Sequence, residues 1–460
     1  MNKYNRHAPD TLIFATGGIG AEIISLLLNN LYTKYISPTG LFTKSLLEML
    51  ALILIPVFSF SITEAVVKYC YYGRYSRKQI FTTAFTLNIA GLMPIIIIVP
   101  FIKYIPFFRA VNGFSVYLMI YIFTSSLRAL CSHFTKARGM KRLFYLDGVL
   151  TVIAFLLFNI IFISFLRMGV RGFMLSAILS DICSAGFLFL GAELKKFYNG
   201  NYFTRRLGKS MLRFTIPLVP TTVLYIFTEF SGMIFTGNMK SDIFSLGADA
   251  AGIYAAASQI PNLISILSVI FLRIPSVRKN TSAGRNISGI FSAYEGILFT
   301  GSAVLLIFIK PISSLFINYS VFPEYSTAYL YTPLLIAAAV FACLDFFIAG
   351  IYAKKNDLPS VLTVCIINII LNVRLIPSMG IQGAALSAFL SCLLRFLIRI
   401  IALRRKMPFK LPGIILNTVL LLLMCADVIL KPVGYIAFEV ILFIIIFIGN
   451  SRPLIKIFRK

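Results

Sequence analysis

Apolar runs of about 20 residues alternate with short polar, mostly basic segments along almost the whole chain. That run length is what an α-helix needs to cross a hydrocarbon core of about 30 Å. The pattern therefore predicts an all-α integral membrane protein with about 14 transmembrane helices. In the first half they fall near 11–32, 45–67, 81–101, 111–131, 145–165, 172–192 and 214–236. The second half continues near 250–272, 289–309, 327–350, 359–376, 381–401, 411–430 and 434–450.

The polar segments set the expected topology. Lys and Arg gather in alternate connections, about 30 against about 10, and basic connections stay in the cytoplasm. Both termini are thus expected inside, with Lys44 counted in the outer set. Outer connections are short, 237–249 being taken as the longest, so no extramembrane domain is expected. The connection 193–213 is the longest and most basic of the inner ones.

A thirteen-residue segment recurs. Met168–Ser180 is MGVRGFMLSAILS and Met379–Ser391, 211 residues later, is MGIQGAALSAFLS, with eight identities. Ser37–Phe42 and Asp249–Tyr254 correspond at an offset of 212. Six spans separate each pair. An even number gives both halves the same orientation, with substrate expected near the axis relating them. The expected organisation is an N-lobe of spans 1–6 (1–192), a basic linker (193–213), a C-lobe of spans 7–12 (214–402), then spans 13–14 with a basic tail (403–460). This amounts to two parallel six-helix bundles plus a C-terminal helix pair.

Composition narrows the picture further. Of 460 residues, 59% are hydrophobic and 13% charged, against about 25% charged in soluble domains. A net charge of +27 would suggest nucleic acid, but the basic residues sit in connections, so membrane lipid is the expected partner and nucleic acid is not. Seven Cys lie in or beside apolar runs without a C-x-x-C pair, and there are two His. Neither pattern indicates a metal centre. Gly208-Lys209-Ser210 imitates a P-loop end, but residue 203 is Phe where that motif needs Gly. Gly17-Gly18-Ile19-Gly20 follows no strand. No cofactor is expected, and without an ATP site the energy for any transport would come from a gradient or from the substrate's own distribution.

Ionisable residues inside spans are the candidates for function, since each costs about 2.5–3.5 kcal/mol to insert at the bilayer centre. Glu22, Asp181 and Glu229 fall nearest mid-span. Pro217 and Pro220 should kink the seventh span before Glu229. Glu48 and Gln259 correspond at the 211 offset, and Gln259, Pro261 and Asn262 form a polar break of the kind that lines cavities. Arg128, Arg395, Arg399 and Arg273 lie toward the inner ends of spans, where they either snorkel or capture an anionic headgroup. Glu64, Asp147, Glu295 and Asp345 are expected as local partners.

Four segments carry a family resemblance: Tyr35–Phe42; Ile216–Pro220 (IPLVP); Ala251–Pro261 (AGIYAAASQIP); and the MGIQGAA entry to the twelfth span. Together they resemble the polysaccharide or O-antigen flippases of the multidrug/oligosaccharidyl-lipid/polysaccharide superfamily. The resemblance covers about the first 400 residues. It implies a non-enzymatic, two-bundle, alternating-access transporter of the bacterial cytoplasmic membrane. Its cargo would be an undecaprenyl-pyrophosphate-linked glycan, with proton or sodium as alternative coupling ions. A lipid II flippase and a cation-coupled multidrug antiporter are the alternatives on the same fold. A glycan polymerase is disfavoured by the short outer connections.

Overall fold

The structure, a computed structural model, describes residues 23–274, 277, 287–351, 357–403, 411–430 and 435–458. Among them there is no strand. Twelve helical stretches are long and apolar enough to cross a membrane, from Pro38–Phe58 to Gly413–Leu430. The first expected span lies mostly outside the described residues; its described part is helix α1 (23–35). The last is present as Tyr435–Phe458, although its apolar part, Ile436–Ser451, is shorter than a full span.

Several expected spans are interrupted. The second begins earlier than expected, at Pro38, and divides into α2 (Pro38–Phe58) and α3 (Ile62–Tyr72). Phe60 and Ser61 are both left-handed there, with φ 54 and 48, so helical bonding cannot run through. The third expected span holds α4 (Arg77–Leu92), which gives way at Pro94 to short turns. Next come α5 (Ser115–Ala137) and α6 (Lys141–Asn159), the latter ending in a π turn at Ile160–Phe165. After α7 (Gly169–Gly191), the basic connection is itself folded and contains α8 (Arg205–Thr215). The expected kink is a 3-10 turn at Ile216–Leu218, preceding α9 (Val219–Asn238). Pro at this place lacks the N–H that a continuous helix would use. The expected break at Pro261 is also present, between α10 (Ala248–Ala257) and α11 (Asn262–Arg273).

The remaining helices are α12 (Ile287–Ile307), α13 (Ile309–Phe316), α14 (Thr332–Ile351), α15 (Leu358–Met379), α16 (Ile381–Leu403), α17 (Leu411–Leu430) and α18 (Tyr435–Phe458). The connection from α12 to α14 is longer than 237–249. It is ordered by α13 and by a 3-10 stretch, Pro323–Leu330.

The described residues form two compact units. One spans Thr43–Phe230; the other joins Ser25–Phe42 to Ser231 onward. The first unit has a core of Ile62, Val66, Phe81, Phe134, Leu207 and Met211, among others. In the second, Tyr294 stacks on Phe347 at 4.9 Å and its hydroxyl lies 2.5 Å from Ser268 Oγ. The C-terminal helices dock through a buried polar contact: Asn417 Nδ2 donates to Glu295 Oε1 at 3.0 Å and to Asn450 Oδ1 at 3.2 Å.

The recurrent glycines have a backbone explanation. Gly169 and Gly380, 211 apart, both take positive φ, 54 and 63, where their helices begin. A left-handed start suits glycine because it has no Cβ. Gly172 and Gly383 come three residues later. A Cβ on Gly172 would stand 3.0 Å from the Phe162 carbonyl oxygen, and one on Gly383 would overlap the Leu375 carbonyl. Each copy thus seats its helix directly on the backbone of the preceding one. The other repeated segment starts α2 and α10, and its copies touch. Thr39 Oγ1 donates to Asp249 Oδ1 at 2.5 Å, and Gly252 lies against the Pro38 carbonyl.

Candidate translocation residues

In the first unit, charged side chains from α2, α5 and α7 gather within the bundle. Lys44, expected in an outer connection, sits inside α2 and is 6% exposed. It pairs with Glu48, one turn on, at 2.9 Å, and lies over the Phe173 ring at 4.8 Å. A buried ammonium needs such a partner, because desolvation outweighs any gain from an unpaired charge. Arg128 Nε of α5 meets Asp181 Oδ1 of α7 at 2.7 Å. The Tyr121 ring, also on α5, lies within electrostatic range of Asp181, Glu48 and Arg128. Glu48, Arg128 and Asp181 are therefore brought into one neighbourhood, together with Lys44 and Tyr121, which sequence reasoning missed. Asp147 stands beside it, accepting from Ser184 Oγ at 2.5 Å and Ser132 Oγ at 3.4 Å. Glu229 is exposed on α9. Glu22 lies outside the described residues.

In the second unit, Arg395 Nε and Arg399 of α16 converge on Asp345 of α14, at 3.0 and 3.2 Å. Arg399 also reaches Asp357 and donates to the Asp345 carbonyl oxygen at 3.0 Å. With Arg395 only 8% exposed, these arginines are tied to carboxylates within the bundle rather than extended along its surface. Asp345 is the local partner the sequence suggested.

The break after α10 presents Gln259, whose Oε1 accepts from Asn262 Nδ2 at 3.1 Å and from Ser25 Oγ at 3.5 Å. Glu48 and Gln259 correspond in the repeat but differ in setting: Glu48 lies within an unbroken helix and Gln259 in a turn. Arg273 ends α11 and is half-buried. A node of uncharged groups went unnoticed in the sequence. Ser231 Oγ donates to Asn368 Oδ1 at 2.5 Å, Asn368 Nδ2 to Ser391 Oγ at 2.9 Å, and Asn372 Nδ2 to Ser231 Oγ at 3.0 Å. All four are buried. The Asn368-x-x-x-Asn372 spacing, which places two amides on one face of an apolar helix, was the available signal.

No protein-family model matches the chain, and no curated protein matches it. Solved structures do. The chain is similar to a lipid II flippase, MurJ, in an inward closed conformation, with a TM-score of 0.70 at 15% identity over 98% of this chain and 100% of that one. It is also similar to an inward-facing multidrug resistance transporter of the MATE family, with a TM-score of 0.56 at 15% identity over 84% of this chain and 96% of that one. A MATE in complex with MaL6 aligns with a TM-score of 0.54 at 15% identity, over 86% of this chain and 97% of that one. At these identities the likeness is one of fold: the chain has the multi-helical fold of these flippase and transporter structures.

Proposed function

We propose that the protein is an alternating-access flippase for a polyprenyl-pyrophosphate-linked glycan of the lipid II type. The observation that carries this reading is the full-length likeness to a lipid II flippase, covering 98% of this chain. The MATE structures cover 84% and 86%. An O-antigen-type carrier, suggested by the sequence motifs, is the second candidate cargo. In this reading the chain crosses a bacterial cytoplasmic membrane fourteen times, with both termini inside, and moves its cargo without chemistry.

The charged neighbourhood of Lys44, Glu48, Arg128 and Asp181 gives the first unit polar groups that respond to an anionic headgroup. Such a headgroup, with charge about −2, gains about 4–5 kcal/mol on moving outward down a 100 mV inside-negative potential. The potential alone can therefore drive export, with proton or sodium exchange as the alternative coupling. The MATE likeness supports a second reading, a cation-coupled drug exporter in which Glu22 or Glu229 holds an organic cation. Expression in cells depleted of their own lipid II flippase separates the two. Restored growth supports the flippase; drug resistance without restored growth supports the exporter.

A further inference from the structure

Helix α8 has two opposed faces. Leu207, Gly208, Met211 and Thr215 are buried, whereas Arg205, Arg206, Lys209 and Arg213 are exposed. The buried face joins the core of α3, α4 and α5 through Ile62, Val66, Phe81 and Phe134. The exposed face is electrostatically costly. Arg205, Lys209 and Arg213 follow one another at four-residue steps, so like charges stack on one stripe. Arg205 and Arg206 also occupy the first turn, opposing the helix dipole, and no acidic residue offsets them there. A counterpart of opposite charge is called for, and among the described residues none of these four cations forms a salt bridge. Within 68–79 and 193–215 the one acidic residue is Glu193. It is already engaged by Lys196 at 2.5 Å, which holds its carboxyl below the usual range.

Depth and surroundings point to what the counterpart is. The helical run Arg205–Asn238 has 34 residues, whereas about 20 cross the hydrocarbon. Its first third is therefore left at headgroup level. Contacts tie α8 to the end of α3: Tyr69 Oη lies 2.6 Å from Ser210 Oγ, and Lys68 Nζ lies 3.5 Å from the Phe214 ring centre. Beyond that contact Tyr71 and Tyr72 are 87% and 71% exposed, and Arg74, Arg77 and Lys78 are exposed too. Tyrosine beside cationic side chains is the composition of a membrane–water interface.

We propose that this basic, tyrosine-rimmed face of the first unit docks on acidic phospholipids, with the α8 stripe binding their phosphodiester headgroups. Its exposed aromatics fit a lipid surface better than a soluble acidic partner. The proposal does not depend on the cargo assigned above.

The chain contains no Trp, so Phe203→Trp, at a position 43% exposed, supplies a sole fluorescent reporter beside the stripe. Full-length Phe203→Trp protein is reconstituted in mixed phosphatidylcholine and phosphatidylglycerol vesicles, with bromine on one lipid or the other at equal mole fraction. Quenching by brominated phosphatidylglycerol should exceed that by brominated phosphatidylcholine by about twofold or more. Adding R205Q, R206Q, K209Q and R213Q should make the two equal. Equal quenching in the Phe203→Trp protein itself overturns the proposal, whether or not the neutralised variant folds. So does quenching by neither lipid, which would leave the face to a soluble partner.

Discussion

Arg128 of α5 and Asp181 of α7 form an ion pair, Nε to Oδ1 2.7 Å, and the second unit repeats the connection with its polarity reversed. There Asp345 of α14 meets Arg395 of α16 at 3.0 Å. The α7 and α16 helices carry the two copies of the MG-x-x-G-x-x-LSA-x-LS segment, and each acquires its partner from two helices upstream. Retaining the pair while exchanging its ends indicates that the connection between helices matters more than which of them bears the cation.

Arg128→Ala should therefore lower stability by about 2 kcal/mol, less than for a fully buried pair because Arg128 is 31% exposed. The exchange of both ends, Arg128→Asp with Asp181→Arg, should recover most of it. Thermal unfolding of the solubilised protein measures both. A double variant no better than Arg128→Ala would show that the polarity in this unit is itself required.

The two close glycines should differ in tolerance. A Cβ at Gly383 overlaps the Leu375 carbonyl, whereas one at Gly172 stands 3.0 Å from that of Phe162. Gly383→Ala should cost about 3 kcal/mol and Gly172→Ala about 1 kcal/mol. The yield of folded, membrane-inserted protein and its thermal stability provide the comparison, and equal losses would contradict the packing described.

Much of this arrangement is legible in the sequence, and the exceptions share a cause. Repeated glycines, the break at Pro261 and the kink at Pro217 are local backbone features, which one chain displays by itself. Lys44 escaped because a lone cation near an apolar run is read as its boundary, although Glu48 four residues on was a sign that the helix continues through it. Over α8 the sequence reads as a linker because its charges obscure the spacing of Leu207, Met211 and Thr215. The pairing of Arg128 with Asp181, and of Glu295 with Asn417, depends on which helices are neighbours. Apolar helix surfaces do not encode that in a single sequence.

Asn417 should hold the C-terminal helices in place. It donates to both Glu295 and Asn450, so Asn417→Leu would leave a buried carboxyl without its amide. A loss of about 1–3 kcal/mol is expected, accompanied by faster proteolysis of the 411–458 segment than of α12. Uniform proteolysis along the chain would contradict a local docking role.

Arg399→Lys should not substitute for arginine, because one ammonium cannot satisfy the Asp345 carboxylate, the Asp345 carbonyl and Asp357 together as the guanidinium does. Folded yield should fall and be partly regained when Asp357→Asn is added. Normal yield in Arg399→Lys would show that its contacts with Asp345 and Asp357 contribute little.

Movement of a lipid-linked glycan can be followed with purified protein in sealed vesicles carrying fluorescent lipid II, with a membrane-impermeant quencher outside. An inside-negative potential should speed the appearance of lipid II in the outer leaflet, and Glu48→Gln with Lys44→Met should slow it while leaving folded yield intact. The same rate in protein-free vesicles and in vesicles containing the protein, with or without a potential, would show that the protein does not move lipid II.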